Sequence, residues 1–136
     1  MLVAAAGVPV HAELHEAQRN EGALVAGVMG RVAAPPRHPN ARPVPLLADR
    51  MYDGDDWRDA LLALGYDLVC PHRRNRVRPV RQDGRKLRRH RRRWAVERTF
   101  AWLKAERRLA TRHERRPELY LALFQLKCAL LRLARF

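Results

Sequence analysis

Between His72 and Arg116 the chain carries 19 Lys or Arg residues and only four acidic ones. Such a stretch cannot go inside a fold, because an unpaired cation taken out of water costs far more than its side chain's apolar stem returns. Its elements can offer a narrow apolar stripe at most, and the core must be drawn mainly from the rest of the chain. The rest can supply one. Hydrophobic residues make up 47% of the 136 residues, too many for a disordered tail. The length allows one modest domain with a single core, so one domain over 1–136 is expected.

The whole chain has 28 Lys+Arg against 14 Asp+Glu, a formal charge of +14. That surplus favours a polyanionic partner, nucleic acid first and an anionic membrane second. Most of the cations are Arg, whose planar guanidinium grips phosphate oxygens two at a time. Membrane attachment is not expected. The start, MLVAAAGVPV, has no basic residue before its short apolar run, and the apolar stretch from Leu119 to Phe136 is interrupted by Gln125, Lys127, Arg132 and Arg135. Cys70 and Cys128 are far apart, and the six histidines show no ligand-like spacing with them. Nothing here suggests a disulfide framework or a zinc site, and a reducing cytoplasm fits.

Along the chain, VPVHAEL (Val8 to Leu14) alternates like a strand after a turn at Gly7, and Glu16 to Val32 reads as helix with Asn20 a candidate N-cap. Residues 33–45 hold most of the prolines and must be a loop. Val44 to Ala48 has the short apolar character of a buried strand and ends at Asp49. Asp53 to Leu64 suits an amphipathic helix with acids in its first turn, stopped by Gly65, and Tyr66 to Cys70 is a second buried-type strand. Residues 72–86 form a basic connector. A long helix is expected over 87–109, and a last helix over 117–135 opens on Pro117 with an apolar surface wide enough to require burial. Strands alternating with helices give an α/β class. Trp94, Phe100, Trp102 and Phe124 are expected in the core, and Cys70 and Cys128 as small buried hydrophobes.

The segment HRRRWAVERTFAWLK carries the chemistry. On a continuous α-helix His90, Arg93 and Lys104 fall within about 40° of the line through Glu97. Val96, Phe100 and Leu103 form the neighbouring apolar stripe. One acid among cations, beside an apolar seam, suits a metal ligand next to phosphate-holding groups; the plainer alternative is a surface ion pair of Glu97 with Arg93. Asp49, at the carboxyl end of a buried strand, points to the crevice where α/β sheets place their sites, and is the natural second ligand. Its plainer role is a helix cap. Hard carboxylate oxygens suit Mg²⁺ or Mn²⁺, and a pair of such ions can drive phosphodiester cleavage.

LLADRMYDGDDW, around Asp49, resembles the second-aspartate region of DDE transposases of bacterial insertion sequences. CPHRRNRVRPVRQDGRKL is similar to their basic connector, and RRRWAVERTFAWLKAERRLATRHE to their glutamate helix. The family pattern there is Tyr, two residues, Arg, three residues, Glu, six residues, Lys. Arg93, Glu97 and Lys104 match it, and His90 stands in place of Tyr. The resemblance implies a ribonuclease-H-like fold, a mixed sheet with flanking helices, and cleavage and strand transfer at transposon DNA ends. Asp49 and Glu97 would bind the metal. His90, Arg93, Lys104, Arg73, Arg74, Arg76, Arg89 and Arg92 would contact DNA. The family's first aspartate lies upstream of the segment resembling LVAAAGVPVHAEL, and no residue here matches it. A partial fold without its first strand is therefore expected, inactive alone, acting as a homodimer or with an upstream transposase segment. A non-catalytic DNA-binding remnant, an interfering truncated product, and a small RNA- or ribosome-associated protein are the other functions considered.

Overall fold

A computed structural model of the chain describes residues 1–15, 21–32 and 41–134, with side chains of the first helix described from residue 24. The chain divides into two compact units, one of Met1–Ala17 with Trp94–Phe136 and one of Gln18–Arg93.

The Gln18–Arg93 unit is built on a strand–helix–strand crossover. Strand β3 (Val44–Leu47) pairs in parallel with β4 (Tyr66–Val69), Val44 opposite Tyr66 and Leu47 opposite Val69. A parallel pair needs a long connection, and helix α2 (Asp55–Ala63) fills it. Pro45 lies within β3, tolerable because among the described residues β3 has a ladder partner on one side only. Gly65, at φ 81°, ends α2 in the left-handed region and turns the chain into β4. The core of this unit is Leu61 of α2, Tyr66, Leu68, Val69 and Cys70, together with Met29 of helix α1 (Glu21–Arg31). The proposed N-cap Asn20 and most of the Pro-rich loop lie outside the described residues.

The other unit opens with two short antiparallel strands, β1 (Leu2–Val3) and β2 (Pro9–His11). Gly7 turns the chain between them at φ 82°, a left-handed backbone that favours glycine, and a Cβ there would displace the Arg98 guanidinium, 2.9 Å away. Helix α4 (Trp94–Lys104) presents Ala95, Thr99 and Leu103 inward at four-residue intervals. The Thr99 hydroxyl, fully buried, sits 2.7 Å from the Gly7 carbonyl and 2.8 Å from that of Ala95, and Arg98 donates to the Ala6 carbonyl at 3.0 Å.

Three sequence expectations are corrected. The continuous helix over 87–109 is instead four pieces: α3 (Gly84–Leu87), a 3₁₀ run at Arg88–Arg93, α4, and α5 (Arg107–Ala110). Asp83 starts the series by accepting from the Arg85 and Lys86 amides at 2.9 and 3.0 Å. No Gly or Pro marks the break after Lys104. That bend goes with the burial of Leu109, whose carbonyl accepts from the Tyr120 hydroxyl at 3.2 Å. Second, Trp94 and Phe100 are not core residues, and Trp102 and Phe124 are only half-buried. Arg98 lies over the Trp94 ring at 4.3 Å and the Trp102 ring at 4.8 Å, so these indoles face a cation rather than an apolar interior. Third, α6 (Pro117–Leu133) has no fully buried residue, and Leu119, Leu126, Leu130 and Leu133 are more than half exposed.

Adjacent leucines of α2 give a direct check on the core. Leu61 is fully buried and Leu62 is half exposed. Leu61→Ala is expected to lower stability by about 2–4 kcal/mol, and Leu62→Ala by less than about 0.5 kcal/mol, in urea unfolding followed by circular dichroism. Equal effects would place the core elsewhere.

Candidate active site

Asp49 follows the last backbone bond of the parallel pair, in which the Ala48 amide donates to the Val69 carbonyl at 3.1 Å. Its carboxylate caps the 3₁₀ turn Arg50–Tyr52 by accepting from the Arg50 amide. The plainer role foreseen for Asp49 is therefore present, and it occupies only one oxygen. The other lies 3.6 Å from an Arg93 guanidinium nitrogen, and the Asp49 side chain stays 56% exposed. His90 Nε2 is 3.0 Å from the Ala48 carbonyl. A carbonyl only accepts, so this contact needs a proton on Nε2. In a 3₁₀ run residues i and i+3 eclipse, which is why His90 and Arg93 both reach the end of β3.

Glu97 is exposed in the first turn of α4 and belongs to the other unit. Its expected position beside the apolar seam is corrected. The inward stripe is Ala95, Thr99 and Leu103, not Val96, Phe100 and Leu103, and Glu97 faces about 160° from its centre. Lys104 shares the Glu97 face from the last turn of α4. The single line through His90, Arg93, Glu97 and Lys104 presupposed one α-helix, and the 3₁₀ run at Arg88–Arg93 removes that geometry.

Among the described residues no three His, Cys, Asp or Glu side chains gather as a metal site would require. The donor chemistry of Asp49 nevertheless suits Mg²⁺ or Mn²⁺, which bind through one or two carboxylates and keep several waters. Its exposure leaves room for them.

The structure also reveals a centre that sequence reasoning missed. Asp53, read as first-turn charge of α2, has its side chain 1% exposed and does not cap that helix, whose N-cap is Gly54. It accepts from the Arg58 guanidinium at 3.0 Å, His72 Nδ1 at 2.9 Å, the Arg76 guanidinium at 3.3 Å and the Arg73 amide at 2.8 Å. Arg58 is buried too. It donates to the Leu68 carbonyl at 2.8 Å and reaches the Cys70 carbonyl and Sγ, while the Gln82 amide donates to the same Cys70 carbonyl. Arg76 bridges both oxygens of Asp55 at 2.8 and 3.0 Å, Arg81 pairs with Asp59 at 2.7 Å, and Lys86 with Asp67 at 2.9 Å. The basic connector is thus stitched to the acids of α2 and β4. Arg76, assigned to DNA by sequence, is committed to Asp53 and Asp55 and nearly buried. Arg73 reaches the Met51 carbonyl at 2.7 Å and stays exposed, as do Arg74, Arg89 and Arg92. The available signal was charge order: four acids at positions 53, 55, 56 and 59, then a cationic loop.

Burial alone would raise the Asp53 carboxyl. The Arg73 amide, the Arg58 guanidinium and His72 outweigh it and hold the group at about 2. Arg76 likewise lowers Asp55, and Arg81 lowers Asp59, though both carboxylates are open to screening by salt. Burial pushes the Cys70 thiol up to about 11, so it is inert. A carboxyl depressed by folding stabilises above its unfolded value and loses that contribution as pH falls toward its folded one. Stability is therefore expected to drop between about pH 5 and pH 2. Asp53→Asn should cost about 3 kcal/mol at pH 7 and flatten that acid limb, read by urea unfolding at each pH. An unchanged acid limb in Asp53→Asn would show that other carboxylates set it.

The chain matches the transposase DDE domain family over residues 1–132. It is 40% identical over 94 residues to a protein named as a transposase for insertion sequence element IS402 of Burkholderia cepacia. That alignment covers 69% of this chain and 41% of the relative, so the chain spans less than half of the relative's length. No solved structure matches. A family match across nearly the whole chain settles its kinship: this is a member of the transposase DDE domain family.

Proposed function

We propose that residues 1–136 are a single partial ribonuclease-H-like catalytic domain, of a kind that acts on transposon DNA ends by strand cleavage and strand transfer. Asp49 and Glu97 are two of its metal-binding carboxylates. The observation that carries this is the setting of Asp49: a half-exposed carboxylate just past a parallel strand, faced by Arg93 and flanked by His90. Carboxyl ends of parallel strands are where α/β sheets place their chemistry. Mg²⁺ or Mn²⁺ held there would activate water and stabilise the leaving oxygen of a phosphodiester.

The chain's own residues do the rest. Arg93 and Lys104 hold backbone phosphates, and His90, oriented by the Ala48 carbonyl, stands beside them at the end of β3. Arg73, Arg74, Arg89 and Arg92 extend the cationic track along the duplex. Arg76 serves DNA indirectly, by fastening the connector through Asp53 and Asp55. Cleavage by these 136 residues alone is not expected, since a third carboxylate is needed.

Two measurements test this. Affinity for a duplex of about 30 base pairs should fall linearly with log salt, and Arg89→Ala and Arg92→Ala should each reduce the slope by about 1. Mn²⁺ bound to the protein–DNA complex, followed by electron paramagnetic resonance, should be lost in Asp49→Asn and Glu97→Gln while metal-free DNA binding holds or tightens. Mn²⁺ occupancy indifferent to both substitutions would leave a non-catalytic DNA-binding protein. Preference for structured RNA over duplex DNA would sink the DNA assignment, and Mg²⁺-dependent nicking abolished by Glu97→Gln would overturn the incomplete carboxylate set.

A further inference from the structure

We infer that the outer face of α6 is a self-association surface, on which a second copy of this chain packs antiparallel about a twofold axis at Gln125. The face is unusually regular. Leu119, Leu126 and Leu133 recur at seven-residue intervals, with 55%, 58% and 74% of their surface exposed. Ala122 and Ala129, also exposed, stand three residues after the first two leucines. This is the a and d spacing of a coiled-coil seam. It lies apart from the half-buried Tyr120, Phe124 and Leu131, which turn toward the helix's own unit, where the Tyr120 hydroxyl bonds Leu109.

Side-chain volume selects the direction of the pairing. In a parallel pair the a residues meet each other and the d residues meet each other, so Leu–Leu layers would alternate with Ala–Ala layers that leave voids. In an antiparallel pair every a residue meets a d residue. Leu119 then fills the space over Ala129 of the second copy, and Leu126 the space over Ala122, so each layer holds one large and one small side chain. Charge selects the same arrangement. The positions preceding the a residues are Glu118, Gln125 and Arg132. In the antiparallel register Glu118 of one copy flanks Arg132 of the other at both ends, and the two Gln125 amides meet on the axis, where each can donate to the other. A twofold pair needs a self-complementary face, and an acid at one end, a base at the other and an amide between supply it. Two chains of +14 repel each other, so added salt, which screens that repulsion, should favour the pair, opposite in sign to its effect on DNA binding.

The test uses the full chain with Cys128→Ser, so that the new thiols are the only accessible ones beside buried Cys70. Mild oxidation of Gln125→Cys is expected to give a covalent dimer. Glu118→Cys and Arg132→Cys should each stay monomeric under the same oxidation, and the double variant should cross-link. In sedimentation equilibrium at about 0.3 M salt, Leu126→Asp should raise the dimer Kd by about tenfold or more. Glu118→Arg and Arg132→Glu should each weaken the dimer, and the two together should restore it; restoration cannot come from misfolding. A chain that stays monomeric with no Gln125→Cys dimer would overturn the proposal and leave the face for another segment or partner. Cross-linking through Leu126→Cys but not Gln125→Cys would overturn it in favour of a parallel pair.

Discussion

The Asp53–Arg58 pair is the interaction on which the Gln18–Arg93 unit depends. Both side chains are withdrawn from water, and a buried pair of that kind stands only where nearly every remaining donor and acceptor finds a partner. Here the partners come from three directions: the Leu68 and Cys70 carbonyls at the end of β4, the Arg73 amide and His72 at the start of the connector, and Gln82 near its end. One carboxylate thus ties the start of α2, the end of β4 and the connector together. Without it the sixteen-residue path from Cys70 to Arg85 would be a cationic loop with little reason to hold a shape.

That tether bears directly on the site. The connector leads into α3 and then into the 3₁₀ run that delivers His90 and Arg93 to the end of β3. Asp49 would otherwise be a carboxylate at a strand end with only its own turn for company. With the run in place it faces the Arg93 guanidinium at 3.6 Å, while its other oxygen caps the turn that begins at Arg50. The cations of the connector and of the 3₁₀ run therefore divide by role. Arg76, Arg81 and Lys86 are used in holding the unit together, while Arg74, Arg89 and Arg92 keep their charge toward solvent.

Much of this was legible in the sequence, unevenly. The strand at Val44, the helix after Asp53 and the strand at Tyr66 were found within a residue or two, because short apolar runs bounded by Gly65, Pro71 and acids leave few alternatives. The stretch from Leu87 to Leu109 was not. Its apolar residues lie all around a helix, so periodicity could not choose the inward face. The choice falls to Thr99, whose hydroxyl meets Gly7, a residue 92 positions away. For the same reason Glu97 was placed against the seam when it faces outward.

The sequence by itself determined the cationic character of the second half, the crossover that leaves β3 at Asp49, and kinship with the transposases, since charge, short apolar runs and motif spacing are properties of residue order. Tertiary structure decided which arginines are spent inside the fold, where a long helix breaks, and which leucines of α6 remain uncovered. Those outcomes depend on which groups meet across many residues of chain, and a buried Asp53 with four donors around it cannot be told from a capping Asp53 until the donors have arrived.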